Sequence, residues 1–226
     1  MHFEYLLFNI IVISGPFFLS FDHKVAFYKK WPAVFLAILP SFFIFLVWDA
    51  LVTGRHWWFN PAFTLDFLIL GLPPGEILFF ITVPYSSLFV WEVLAAYFRN
   101  KPLSGAGLFQ LIIMFLFIPG ILFFLTGKEY TGLVLFAISL VGIVDKLTHT
   151  QFFLQLRTCQ YLILLTLLML LFNGYLTARP VVLYNPAYQL NFRIFTIPVE
   201  DFFYGYSHVF LTTIIYEKVK RWQHVS

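Results

Sequence analysis

Charge is scarce in this chain. Only 11% of its 226 residues are Asp, Glu, Lys or Arg, against about a quarter in an ordinary soluble domain. So little polar side chain cannot cover a water-facing surface, which argues against a soluble globular domain. Cysteine is nearly absent: Cys159 stands alone, which excludes an intrachain disulfide and leaves the redox compartment open. The 6 histidines show no ligand spacing, so no metal is expected. Gly105-Ala106-Gly107 lacks a third glycine and a preceding strand, so it is not a dinucleotide loop. No tightly bound cofactor is expected. What is abundant is hydrocarbon. Apolar residues make up 61% of the chain, and 31 Phe, 12 Tyr and 6 Trp bring aromatics to 22%. That excludes a disordered chain, a coiled coil and a disulfide scaffold.

A membrane-spanning helix needs about 20 mostly apolar residues. Seven stretches qualify, at roughly 4–21, 31–51, 75–98, 105–126, 131–147, 151–173 and 199–217. The first has no basic start (Met1-His2-Phe3-Glu4) and no small-residue cleavage site after it, so it is read as a helix and not as a signal peptide. Lys and Arg crowd cytoplasmic loops. The loops after spans 1, 3 and 5, together with the C-terminal tail, hold 10 of them, and the opposite side holds 4. This places the N-terminus outside and the C-terminus in the cytoplasm of a multi-pass cell-membrane protein. The tail Lys218-Val219-Lys220-Arg221 suits anionic lipid, not nucleic acid.

The two longest connections carry the same text. Asn60-Pro61-Ala62-Phe63 recurs as Asn185-Pro186-Ala187-Tyr188, an offset of 125. At that offset, without a gap, Leu65 meets Leu190, Phe67 meets Phe192, Ile69 meets Ile194, Pro73 meets Pro198, Glu76 meets Asp201 and Glu92 meets Glu217. The expected fold is therefore an all-α integral membrane protein of seven transmembrane helices. It has two parallel three-helix repeats, at 1–98 and 127–226, joined by a linker helix at 99–126. Parallel repeats place a binding site where the halves meet.

In each half, proline opens a helix and acid follows in its first turn: Pro73-Pro74-Gly75-Glu76 and Pro198-Val199-Glu200-Asp201. This is sound helix-start chemistry. In an apolar chain with 11 acids, two copies facing one interface also define a functional candidate, because ionisable residues at membrane depth are costly. Burial and a neighbouring acid favour the protonated form. The helix dipole opposes this by only about 0.3–1 kcal/mol. At least one acid is expected to hold a proton it can deliver. Glu200 and Asp201 are adjacent and point about 100° apart, so both cannot aim at one atom. Asn60 and Asn185 are candidates for orienting a carboxyl group, or for forming turns before proline. Phe79, Phe80, Phe203 and Tyr204 are candidates for an aromatic wall, which attracts a carbocation by roughly 0.5–2 kcal/mol per ring. A proton donor beside such a wall suits protonation of an alkene in a greasy polyene, followed by ring closure.

The runs Gly71-Leu72-Pro73-Pro74-Gly75-Glu76-Ile77-Leu78-Phe79-Phe80 and Arg193-Ile194-Phe195-Thr196-Ile197-Pro198-Val199-Glu200-Asp201-Phe202-Phe203-Tyr204-Gly205 resemble the paired signatures of the membrane lycopene cyclases, in their fused form. The resemblance covers nearly the whole chain. Many family members carry two acids after the first proline; here Gly75 takes the place of one. The resemblance implies conversion of the linear ψ-ends of lycopene to β-ionone rings, giving γ-carotene and then β-carotene, an isomerisation of the intramolecular-lyase type. It implies Glu200 or Asp201 as acid and Glu76 as base or second acid, with exchange of roles open. The partners implied are lycopene or a similar acyclic carotenoid and the lipid bilayer; a homo-oligomer is left open.

Three other readings compete. A retinal photoreceptor needs a lysine in the last span, and 199–217 has none. A small-solute transporter with a three-plus-one-plus-three plan needs polar residues through the bundle centre, where only Tyr85, Ser86, Ser87, Ser207 and His208 are found. A carotenoid ψ-end hydratase needs water at the cation. Lesser expectations are a satisfied interhelical histidine at His208, solvated end caps at Glu92 and Glu217, and a surface pair of Asp145 with His149.

Overall fold

The computed structural model describes residues 2–225. It is mostly helical: α1 (Glu4–Leu19), α2 (Trp31–Val52), α3 (Pro74–Tyr97), α4 (Ala106–Phe115), α5 (Phe117–Leu125), α6 (Glu129–Thr148), α7 (Leu156–Ala178) and α8 (Val199–Val225). Five stretches are long and apolar enough to cross a membrane: Phe27–Val52, Pro74–Tyr97, Ala106–Leu125, Glu129–Thr148 and Leu156–Ala178.

The helix bounds differ from the expected spans in several places. α1 is apolar but only 16 residues long, short of the usual spanning length. The linker breaks at Leu116, where Pro119 removes the N–H that would bond the carbonyl of Phe115. The sixth helix starts at Leu156, not 151, because a 3-10 turn at Phe152–Leu154 comes first. That turn is held by Asp145, which is fully buried and accepts from the N–H groups of Phe152 and Phe153. Asp145 is thus a turn anchor and not half of a surface pair. The last helix runs on to Val225.

Local rules explain how the long connections end. Ile69 bridges Leu72, and Ile194 pairs with Ile197. Each tight turn has a left-handed residue at its tip, Leu70 (φ 55°) or Phe195 (φ 56°). Each then delivers its proline to a helix start. Two short strands, β1 (Trp57–Phe59) and β2 (Val182–Tyr184), pair antiparallel with Trp58 opposite Leu183. These strands stand at the 125-residue offset and meet about their own midpoint.

The first turns of α3 and α8 border the same cavity and their far ends are tied together, so the two helices run parallel. At their far ends Trp91 Nε1 donates to Glu217 (2.7 Å) and Tyr216 Oη donates to Glu92 (2.9 Å). Lys30 and Lys220 complete the charge pairing of Glu92, which is 2% exposed. Glu92 is therefore a buried tie and not a solvated cap. The linker packs on α6 through small residues: a Cβ on Gly132 would lie 2.8 Å from the carbonyl oxygen of Gly120.

Candidate active site

Between α1, α3, α7 and α8 lies a cavity of about 380 Å³ with mostly apolar walls. Its carboxyl groups are Asp49 near the end of α2, Glu76 in the first turn of α3 and Asp201 in the first turn of α8. All three are buried. A desolvated polar group is costly unless hydrogen-bonded, and the partners here differ from acid to acid.

Asp201 has both oxygens occupied. Tyr130 Oη donates to Oδ1 at 2.7 Å; Tyr184 Oη and Asn173 Nδ2 donate to Oδ2 at 2.5 and 3.0 Å. Burial and the carboxyl of Asp201 push the Tyr184 phenol well above its ordinary range, so it stays a donor. Glu76 accepts from Tyr5 Oη on one oxygen, and no donor among the described residues meets the other. Tyr5 and Tyr130 stand at the same 125-residue offset as Glu76 and Asp201, so one tyrosine–acid pair occurs twice. Asp49 accepts from Trp57 Nε1 at 3.0 Å on Oδ1, while its buried Oδ2 has no partner. Trp57 and Tyr130 stack edge to face at 5.0 Å, linking the surroundings of Asp49 to those of Asp201.

The structure separates the expected site residues. Glu76, Asp201, Phe79 and Tyr204 line the cavity. Glu200 does not: its Oε1 accepts from Thr131 Oγ1 (2.6 Å) and the Leu190 N–H (2.7 Å), away from the lining. Asn60 and Asn185 do not either. Each side-chain oxygen takes the backbone N–H two residues on, of Ala62 and Ala187, so both asparagines form turns. Phe80 and Phe203 pack into the core beside the cavity. Gly75 has a steric reason: a Cβ there would lie 2.8 Å from the ring of Tyr5. No side chain, acidic or otherwise, fits between Glu76 and its tyrosine.

Sequence reasoning missed Asp49 altogether. The available signal was a lone acid near the end of an apolar span. His208 also lines the cavity, and its buried Nε2 has no partner, so it is not a satisfied interhelical histidine. No cluster of His, Cys, Asp and Glu able to hold a metal occurs among the described residues.

Apolar helices long enough to cross a bilayer, around a mostly apolar cavity with acids gathered at one end, define a membrane protein with a buried carboxyl-lined chamber. The family model described as lycopene cyclase matches residues 2–94 and 128–219, most of the chain. The chain belongs to the lycopene cyclase family, enzymes of carotenoid biosynthesis that act on carotenoids. No curated protein and no solved structure matches it.

Proposed function

We propose that this chain closes the linear ψ-ends of lycopene into β-ionone rings, an isomerisation, inside the cavity between α1, α3, α7 and α8. The observation that carries this reading is the meeting of three buried carboxyl groups, from three separate helices, in one apolar chamber. Their hydrogen bonds give each a role. Glu76 has one oxygen held by Tyr5 and one that meets no donor among the described residues; it protonates the terminal double bond, and Tyr5 stabilises the carboxylate left behind. Asp201 receives three donors, one on Oδ1 and two on Oδ2; it faces the carbocation. The neighbouring alkene attacks the cation and closes the ring. Asp49, whose Oδ2 has no partner among the described residues, takes the ring proton and passes it back to Glu76 before the next end is closed, so substrate and acids alike finish with the protons they began with. Phe79 and Tyr204 supply ring faces for the cation.

The same reading makes 1–98 and 127–226 two copies of one three-helix unit, with 99–126 as linker. The recurring tyrosine–acid pair and the self-matching strand pair support the duplication. It also counts α1 and α8 among seven spans, with the N-terminus outside and the C-terminus in the cytoplasm. The test is expression in cells that accumulate lycopene, with pigment analysis. The expected product is β-carotene by way of γ-carotene. Lycopene left linear beside well-inserted protein overturns the proposal, and a hydroxylated product makes the protein a hydratase.

A further inference from the structure

The cavity is not centred between the two halves. Its lining draws on α1, α3, α7 and α8, but takes only Asp49 from α2 and only Tyr130 from α6. α2 and α6 are the positional counterparts of α7 and α1 at the 125-residue offset. The reason is visible on α6, whose outer face is covered by the linker through Gly120 and Gly132. α1 has no such cover. The two sides of the molecule have therefore diverged into a packed side and an open one.

On the open side α1 and α7 are clasped only near the acids. Tyr175 Oη and Arg179 Nε both donate to Glu4 Oε1, at 2.6 and 2.8 Å, and the ring of Phe8 meets that of Phe172 at 6.0 Å. Beyond that clasp the helices part. A second hollow between them adjoins the main cavity, with Phe8, Ile11 and Phe172 lining both. Ile11 and Leu19 are 58% and 57% exposed while also lining the cavity. Gly15, between them, lines it too, and a Cβ built there has no atom within 4 Å. Past Glu4, α1 carries no Asp, Glu, Lys, Arg or His, and neither does α7 past Arg157. Beyond the clasp the two helices thus bring no charged side chain to the gap. Pro16 frees the carbonyl of Val12 there, and Ser86 Oγ on α3 takes it up at 3.1 Å, so no bare backbone acceptor faces the opening.

We infer that the gap between α1 and α7 is a lateral portal through which an acyclic polyene passes from the bilayer into the cavity, one end at a time. This rests on the cyclase reading above for the identity of the polyene. The cavity follows α3 from Glu76 to Val90, about 21 Å at 1.5 Å per residue, with its acids at one end only. One ψ-end reaches the acids while the rest of the chain lies along the slot and out through the gap.

The experiment blocks the gap after folding. Gly15→Cys, in a Cys159→Ser background, is reconstituted in lipid vesicles loaded with lycopene and labelled with a long-chain alkyl methanethiosulfonate. Labelling is expected to stop lycopene conversion, and a reductant to restore it. Lycopene present beforehand should slow the labelling. Ile11→Cys is the second portal variant, should Gly15→Cys insert poorly. Phe18→Cys, 73% exposed and outside the cavity lining, should be labelled without loss. Undiminished conversion by a labelled portal variant overturns the portal, as does equal inhibition through Phe18→Cys. Lycopene left linear by the unlabelled parent overturns the cyclase reading instead.

Discussion

Replacing Gly75 with alanine puts a methyl group into the face of Tyr5. The new Cβ would lie 2.8 Å from Cδ1 and Cγ of that ring and 3.0 Å from its Cβ, where ordinary contact begins at 3.4 Å. The ring has little room to retreat. Tyr5 is 2% exposed and sits between Phe8 and Phe59, at centroid distances of 6.0 and 6.2 Å. Overpacking of this kind costs about 1–3 kcal/mol. Any retreat also draws the hydroxyl away from Glu76. A hydrogen bond to a charged group is worth about 1.5–3 kcal/mol. If that bond matters most when Glu76 has given up its proton, the rate falls by roughly ten- to a hundredfold. The assay is the initial rate of lycopene loss in vesicles, with the melting temperature measured alongside. Tyr5→Ala removes the ring, so Gly75→Ala added to Tyr5→Ala should cost little more than Tyr5→Ala alone. Parental rate and stability for Gly75→Ala would refute the reasoning. So would full additivity in the double variant.

Asp201→Asn places an amide against donors that need an acceptor, and cyclisation should fall by about a hundredfold or more. Glu200→Gln keeps an acceptor for Thr131 and the Leu190 N–H, so it should retain most activity and lose about 1 kcal/mol of stability; pigment analysis of the two side by side checks both. Asp49→Asn should stall ring formation after protonation, seen as slowed loss of lycopene with unchanged protein level. Gly132→Ala meets backbone atoms of Gly120 and Phe124 within 3 Å, which cannot yield as a side chain can; thermal melting should show a loss of about 1–3 kcal/mol. With acids at one end of the slot, γ-carotene should leave before its second end is closed. A time course with lycopene in excess should show it rising ahead of β-carotene; β-carotene formed without free γ-carotene would contradict this.

Much of this protein is set by rules that act along the chain. Long apolar runs, the shortage of charge and the placement of lysine and arginine specify a helical membrane protein before any packing is known. The Pro73 and Pro198 helix starts and their acids are equally local, because a missing N–H and a nearby carboxylate need only the first turn. The asparagine turns at Asn60 and Asn185 were legible in the same way. What local rules leave open is direction. Glu200 and Asp201 are one residue apart, so a rotation of about 100° decides which faces the cavity. That rotation is fixed by Tyr130 and Thr131 on α6, far away in sequence, and by Tyr184 on β2. Asp49 joins the site only because α2 packs against α8. Gly75, an apparently missing acid, is explained only when the ring of Tyr5 is seen lying on it. The sequence determined the helices, their charges and the repeated text. Packing between distant segments decided which carboxyl groups share a chamber and on which side it opens, because side-chain direction and helix contact depend on neighbours no local window contains.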